Sequence, residues 1–145
     1  MLAKIKSKMK TTTGVELKLS KEKSEEFFYE ALCNGLDYLS GYGLSIKYFE
    51  TDYKKAKNVL QSKNKNGICY EDVLMQILKN GGSLKLIDNE CDGEYNSTIK
   101  LTHVHERVEK TPIEHLIEYI NETGGDATTA DVVLQTVFYN EIIFG

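Results

Sequence analysis

Three acidic residues and a glycine in the middle of the chain have the spacing of a calcium-binding loop. Asp88, Glu90, Asp92 and Gly93 match positions 1, 3, 5 and 6 of an EF-hand loop, in which carboxylates ligate the ion and the glycine makes a sharp turn. Position 12 should be a glutamate that binds through both oxygens, and it is Ile99 here. Because apolar residues alternate on both sides, we instead predict a β-hairpin that turns at Asp92-Gly93, a dipeptide typical of tight turns. A weak surface cation site is the alternative.

Two neighbouring histidines indicate a second kind of chemistry. On a β-strand, His103 and His105 would share one face, a spacing that suits zinc, and Glu106 and His115 would be candidate third ligands. On a helix the same two imidazoles point roughly 200° apart, and we predict a helix that begins at Thr102. A small metal-dependent hydrolytic enzyme that uses His103, His105 and Glu106 is therefore an alternative function. The leading interpretation assigns no metal site.

The sequence carries no other catalytic signature. It contains neither a G-x-S-x-G nucleophile motif nor a glycine-rich phosphate loop. Its three cysteines, Cys33, Cys69 and Cys91, are odd in number and far apart, which argues against a disulfide framework or a structural zinc site and fits a reducing cytoplasm. We therefore predict a cytoplasmic protein that binds rather than catalyses and that needs no cofactor.

Tyrosine is the aromatic residue in excess, with nine copies and no tryptophan. Its ring supplies rigid contact area with a polar end, which suits interfaces. Lysines interleave with tyrosines from Tyr42 to Lys57, which favours weak attraction of phosphate, whereas a single arginine argues against sequence-specific reading of DNA. The candidate contact residues for a ligand or partner are aromatic, acidic and amide side chains: Tyr38, Tyr42, Tyr48, Glu114, Glu118, Glu122 and Gln135.

The spacing of apolar residues predicts the elements that hold these side chains. Alternation predicts strands, i, i+3, i+4 spacing predicts helices, and Asn-Gly marks helix ends. The predictions for the first half are paired strands over residues 2–9 and 15–19, a helix capped by Ser20 and closed at Asn34-Gly35, a strand or bulged strand pair up to Tyr48, a helix capped by Thr51, and a helix over Tyr70–Lys79.

The second half continues with the hairpin and two further helices. In the hairpin, Leu84 and Leu86 are predicted to face the core, with Ile99 and Leu101 on the return strand. The next helix is predicted from a capping box at Thr111-Pro112-Ile113-Glu114, and its apolar face consists of Ile113, Leu116, Ile117 and Ile120. A last helix from Thr128 is predicted to bury Val133, Leu134, Val137 and Phe138, and a terminal strand is predicted over residues 141–145. The predicted fold is one α+β domain over residues 1–145, with an antiparallel sheet whose central β-hairpin packs against about four to five helices.

Charge is divided unevenly along the 145 residues. Residues 1–66 carry 13 lysines and 8 acids (+5), and residues 67–145 carry 5 basic and 14 acidic residues (−9), which together give −4. Opposite halves can orient a partner or stack copies into a homo-oligomer, or they are simply solvated faces. No apolar run approaches the roughly 20 residues of a membrane span, and no apolar segment follows the basic N-terminus, so neither membrane insertion nor secretion is expected.

Three segments resemble a group of small proteins from phages, prophages and mobile elements of low-GC Gram-positive bacteria. They are NGLDYLSGYG, the hairpin GGSLKLIDNE…EYNSTIKLT and the tail ADVVLQTVFYNEIIFG. Leu39 stands where the group has an aromatic residue, and Tyr139-Asn140-Glu141 stands where it has Phe-Gly-Glu. The resemblance implies an accessory protein of viral or mobile-element origin in the bacterial host's cytoplasm, and it carries over no catalytic residue.

The leading hypothesis is therefore a non-catalytic binding protein that inhibits a host antiviral defence system. In one version its acidic residues Glu114, Glu118 and Glu122 engage a basic surface of a host defence protein. In the other it is a sponge for a signalling nucleotide, whose base stacks on the loop between Tyr38 and Tyr42. An oligomeric structural or interaction module is a further alternative.

Overall fold

The structure, a computed structural model, describes residues 17–63, 66–121 and 126–145. These residues form six α-helices, one 3₁₀ turn and a three-stranded antiparallel sheet, which confirms a single compact α+β domain. The elements in chain order are α1 (Lys21–Gly41), β1 (Leu44–Lys47), α2 (Glu50–Ser62), α3 (Tyr70–Lys79), β2 (Leu84–Asp88), β3 (Ser97–Ile99), α4 (Leu101–Arg107), the 3₁₀ turn (Val108–Lys110), α5 (Ile113–Ile120) and α6 (Ala127–Tyr139).

Helix α1 begins as predicted and ends later than predicted. The Ser20 hydroxyl accepts a hydrogen bond from the Lys23 backbone N–H at 3.1 Å, as an N-cap does. The predicted stop at Asn34-Gly35 is wrong, because the helix continues to Gly41. A Cβ on Gly35 would lie only 2.8 Å from Leu134 Cδ1, so this glycine serves close packing of α1 on α6 instead of ending the helix.

The sheet has the order β1-β2-β3, so the predicted hairpin of β2 and β3 is confirmed and β2 is the central strand. Leu84 and Leu86 are fully buried, as predicted, and Ile99 on the return strand is fully buried beside them. Leu101 is not on the return strand, because it starts α4. Since side chains alternate along a strand, the other face of the sheet carries Lys85 outward.

The acidic tip of the hairpin is explained by turn chemistry. Asp92 and Gly93 both have positive φ, at 52° and 80°. The Asp88 carboxylate accepts hydrogen bonds from the backbone N–H groups of Glu90, Cys91 and Tyr95. These donors lower the pKa of Asp88, the bond from Cys91 contributing most. Asp88 therefore organises the loop from inside.

Three predicted helix caps are wrong. α2 starts at Glu50 with Phe49 in the N-cap position, so Thr51 is inside the helix. α5 starts at Ile113 after Pro112, and no capping box forms, because the buried Thr111 hydroxyl has no hydrogen-bond partner among the described residues. α6 is capped two residues earlier than Thr128, since Asp126 accepts from the Thr129 N–H at 2.8 Å.

The apolar face of α5 is rotated from the predicted one. Leu116 is buried as expected, and Tyr119 is buried beside Phe27 at 5.3 Å between ring centroids. Ile117 and Ile120 are each 44% exposed. The helix therefore buries one edge of its apolar stripe and leaves the other edge on the surface.

The two ends of the chain also differ from prediction. Residues 17–19 are extended but form no strand, and the Leu19 N–H donates to Glu109 at 3.0 Å. The rest of the predicted first strand pair lies outside the described residues. The terminal segment contains only an isolated bridge residue, Ile142, instead of a strand. Among the described helices, none combines the length and apolarity that crossing a bilayer requires.

Candidate functional site

The predicted contact residues that the structure describes lie in three separate places. Tyr38 is 37% exposed at the end of α1, next to Tyr42, whose hydroxyl donates to Asp131 at 2.7 Å. Tyr42 also stacks on Phe144 with ring centroids 4.8 Å apart. The ring and the hydroxyl of Tyr42 are therefore both engaged in contacts within the protein. Tyr38 by itself does not form a binding site.

Gln135 is fully buried and holds the C-terminal segment. Its Oε1 accepts hydrogen bonds from the N–H groups of Ile143 and Phe144, both at 2.8 Å. Its Nε2 donates to the Phe144 carbonyl and to Asp131, at 3.1 and 3.0 Å. Burial raises the pKa of Asp131, while the bonds from Tyr42 and Gln135 oppose that rise. Gln135 has a structural role and does not reach a ligand.

The acidic residues predicted to bind a partner differ in their exposure and contacts. Glu114 is exposed on α5, whereas Glu118 accepts a hydrogen bond from the Thr129 hydroxyl at 2.9 Å. Glu122 lies outside the described residues. Of the two that the structure describes, Glu114 is exposed and Glu118 is half-buried.

The histidines predicted as alternative metal ligands have separate partners on helices. His103 Nδ1 accepts from the Lys100 N–H at 2.9 Å, and His105 Nε2 lies 2.7 Å from a Glu25 oxygen. His115 Nδ1 is 3.1 Å from the Thr129 hydroxyl. Within residues 17–63, 66–121 and 126–145, no group of three or more His, Cys, Asp or Glu residues could hold a metal ion.

A different surface combines features that a ligand site needs. Phe49 is 61% exposed, the largest value among the large apolar side chains that the structure describes. It follows β1 and occupies the N-cap of α2 without a capping hydrogen bond, a position where Ser, Thr, Asp or Asn is favoured. Two adjoining hollows both contain Phe49 and Ser83. We call the two hollows together the Phe49 surface.

The first hollow lies between α2 and the loop that follows α3, and we call it the glycine-loop hollow. Its volume is about 260 Å³. Gly81 has φ 93°, and its carbonyl accepts a hydrogen bond from Lys100 Nζ at 3.3 Å. A Cβ on Gly82 would meet Ile77 Cγ2 at 2.9 Å. The lining residues are Phe49, Asp52, Lys55, Asn80, Gly81, Gly82, Ser83 and Lys100.

The second hollow lies on the outward face of the sheet, and we call it the sheet hollow. Its volume is about 220 Å³, and besides Phe49 and Ser83 it is lined by Lys47, Tyr48, Lys85 and Ile87. Tyr48 is fixed from behind by Tyr53, with ring centroids 5.1 Å apart. The sheet hollow therefore offers rigid apolar surface next to two ammonium groups.

Four lysines surround Phe49, and within the described part of the chain none of them lies in an ion pair. Lys47 and Lys85 are direct partners across β1 and β2, and like charges in that position destabilise a sheet. Lys85 Nζ lies 6.0 Å from the centre of the Phe49 ring. A pair of opposed, uncompensated lysines beside an exposed ring fits an anion that also carries a flat ring.

The sequence pointed to part of this surface. The interleaved lysines and tyrosines after Tyr42 include Lys47, Tyr48 and Lys55, all of which line it. Lys85 and Lys100 were missed, because strand pairing and the start of α4 bring them in from 30 to 50 residues further along the chain. The exposed Phe49 was also missed, and its one local signal is that it directly follows an alternating strand.

Comparisons of the chain with protein-family models, with curated proteins and with solved structures found no match. The function must therefore be argued from the geometry of the Phe49 surface.

Proposed function

We propose that this protein is a non-catalytic binding protein that holds a nucleotide on the Phe49 surface. The observation that carries the proposal is the exposed Phe49 ring among four lysines that have no ion-pair partner among the described residues. Stacking of a base on an aromatic side chain contributes about 1–3 kcal/mol. Lysine ammonium groups bind phosphate as point charges.

The size of the two hollows supports a ligand that bridges them. Each hollow, at about 260 and 220 Å³, is smaller than the roughly 300–1,000 Å³ of usual ligand sites. They join at Phe49 and Ser83, and together they reach that range. A nucleotide has a flat apolar part and an anionic part, so it matches the sheet hollow and the lysines at once.

The lining chemistry supports binding without turnover. Neither a histidine nor a cysteine is among the described residues that line the two hollows. Ser83 therefore has no neighbouring imidazole to act as the general base of a Ser-His pair.

The proposed biological role combines this site with the resemblance to phage and mobile-element proteins. A small protein that binds a nucleotide without consuming it acts as a sponge, because it lowers the free concentration of that nucleotide. We propose that this sponge suppresses a host antiviral signal in the bacterial cytoplasm. The base would stack on Phe49 and not on the loop between Tyr38 and Tyr42.

Isothermal titration calorimetry with mono-, di- and cyclic nucleotides tests the proposal. Binding should be saturable at one site, should weaken at higher salt because screening reduces the lysine attraction, and should fall at least tenfold in Phe49→Ala, equivalent to about 1.4 kcal/mol of lost stacking. The nucleotide should be recovered intact by chromatography.

Two matched variants serve as controls for the titration. Tyr38→Ala removes an exposed aromatic ring elsewhere, and Glu114→Gln alters the acidic surface of α5, so both should bind like the wild type. Absence of binding by every nucleotide, or equal loss in Phe49→Ala and Tyr38→Ala, contradicts the proposal. Turnover of the nucleotide contradicts its non-catalytic part.

A second candidate is inhibition of a host defence protein through α5. The observation in its favour is that Ile117 and Ile120 are each 44% exposed on the helix that also exposes Glu114. Protein interfaces commonly combine an apolar centre with a polar rim. Glu114→Gln would weaken this interaction and leave nucleotide binding unchanged, so the same variant separates the two candidates.

A further inference from the structure

Asp52 is the single carboxylate among the described residues that line the glycine-loop hollow. Its position is fixed by the first turn of α2, where its N–H donates to the Phe49 carbonyl at 3.0 Å. Its Oδ2 is 3.1 Å from the place that a Cβ on Gly82 would occupy. The carboxylate therefore extends across the hollow toward the loop of residues 80–83.

The Asp52 carboxylate is also without a partner in the described part of the chain. It is half-buried, yet it makes neither an ion pair nor a side-chain hydrogen bond there, although Lys55 and Lys100 line the same hollow. A half-buried carboxylate that no protein group bonds is free to accept a hydrogen bond from a ligand. Beside a phosphate the same carboxylate would add repulsion unless the ligand supplies a hydrogen-bond donor.

The sugar of a ribonucleotide supplies such a donor next to its phosphate. Carboxylates are established acceptors for ribose hydroxyl groups in nucleotide sites. Resting on the proposed function, we infer that the ligand is a ribonucleotide and that Asp52 accepts a hydrogen bond from a hydroxyl of its ribose. The base then lies against Tyr48, Phe49 and Ile87, and the phosphate lies near Lys55 and Lys100.

This arrangement gives Asp52 the role of a specificity residue. For a ribonucleotide, the hydrogen bond offsets the repulsion between the carboxylate and the phosphate. For a deoxyribonucleotide that lacks the hydroxyl in question, the repulsion stays and the acceptor remains unpaired. Sites built to bind a hydroxyl reject analogues without it more strongly than sites that merely fit its shape.

The test is titration of the full chain with ribonucleoside 5′-monophosphates and their 2′-deoxy and 3′-deoxy counterparts. The wild type should bind the ribonucleotide at least about tenfold more tightly than one of the two deoxy forms, as expected for one hydrogen bond to a charged acceptor. Asp52→Ala should bring that ratio close to one, partly because the deoxy form binds better once the repulsion is removed.

Glu50→Ala is the matched control, because Glu50 lies in the same first turn of α2 and does not line either hollow. It should retain the wild-type ratio. Asp52→Asn, which keeps the shape and removes the charge, replaces Asp52→Ala if a thermal melt shows that the alanine variant is unfolded, and it should also reduce the ratio. Equal binding of all three sugars by the wild type, or an unchanged ratio in the folded Asp52 variant, overturns the inference and leaves the proposed function standing. Failure of every nucleotide to bind overturns the proposed function itself.

Discussion

At Gly35 the absence of a side chain sets how closely α1 and α6 approach. In addition to Leu134 Cδ1, a Cβ there would meet Ala130 Cβ at 3.1 Å and the Ala130 carbonyl carbon at 3.2 Å. A leucine methyl group can move aside, but the backbone of α6 cannot do so without shifting the helix. From the sequence, Asn34-Gly35 has the form of a helix stop, because the partner that requires the glycine lies almost 100 residues away.

Gly35→Ala should therefore destabilise the protein. Alanine favours a helix over glycine by up to about 1 kcal/mol, but overpacking typically costs about 1–3 kcal/mol, so we expect the free energy of unfolding in urea to fall. Gly41→Ala is the control, since a Cβ at Gly41 has nothing within 4 Å, and it should be neutral or slightly stabilising. Equal stability of the two variants would show that the contact of α1 with α6 can relax.

Other residue-scale features could not be predicted for the same reason. Thr51 and Thr111 each have the local signature of a cap, yet α2 and α5 start elsewhere, because packing fixes where the chain turns. In the sequence, Asp88 has the spacing of a calcium ligand as well as the position of a turn residue. Only the folded loop shows that its carboxylate accepts hydrogen bonds from three backbone N–H groups.

At the scale of elements, segments with strong local periodicity were predictable. The helix over Tyr70–Lys79 has the predicted bounds. The strands β2 and β3 pair as the predicted hairpin. The terminal segment was predicted as a strand, because apolar residues at a chain end often join a sheet. It instead lies along α6, where Gln135 satisfies two of its backbone N–H groups.

Replacing Gln135 should release this segment while the rest of the fold persists. In Gln135→Leu the amides of Ile143 and Phe144 lose their acceptor, and each buried N–H left unpaired costs about 1–3 kcal/mol. We expect faster hydrogen exchange at these two amides, measured by NMR or mass spectrometry, with smaller changes in β2. Gln61→Leu, at an exposed position of α2, should leave the exchange unchanged. Uniform acceleration across the sheet would mean that Gln135 stabilises the whole domain instead.

At the scale of the whole molecule, the division of charge along the sequence does not survive folding. Lys85 and Lys100 belong to the acidic half of the sequence, yet they lie beside Lys47 and Lys55 on the Phe49 surface. Glu22, Glu25 and Glu26 belong to the lysine-rich half and line a groove of about 410 Å³ that also contains Leu60 and Met75. The basic and the acidic surfaces of the folded protein are therefore each built from both halves of the sequence.

This arrangement distinguishes a free binding protein from a stacked oligomer. Stacking would place the Phe49 surface of one copy on the acidic groove of another and would cover the lysines that a nucleotide needs. The proposed function therefore predicts a monomer mass of 16.4 kDa by light scattering at both low and high salt. A larger mass at low salt that Lys47→Glu and Lys85→Glu abolish would favour the oligomeric module.

The opposed lysines Lys47 and Lys85 create a trade-off between the stability of the fold and the binding of a ligand. Exchanging one of them for glutamate would convert a repulsive cross-strand pair into an attractive one, so the empty protein would gain stability while the positive charge that attracts a nucleotide to the Phe49 surface falls. Laboratory evolution that selects for heat resistance alone should therefore yield substitutions at these two positions early. Evolution that rewards ligand capture would hold both of them as lysine.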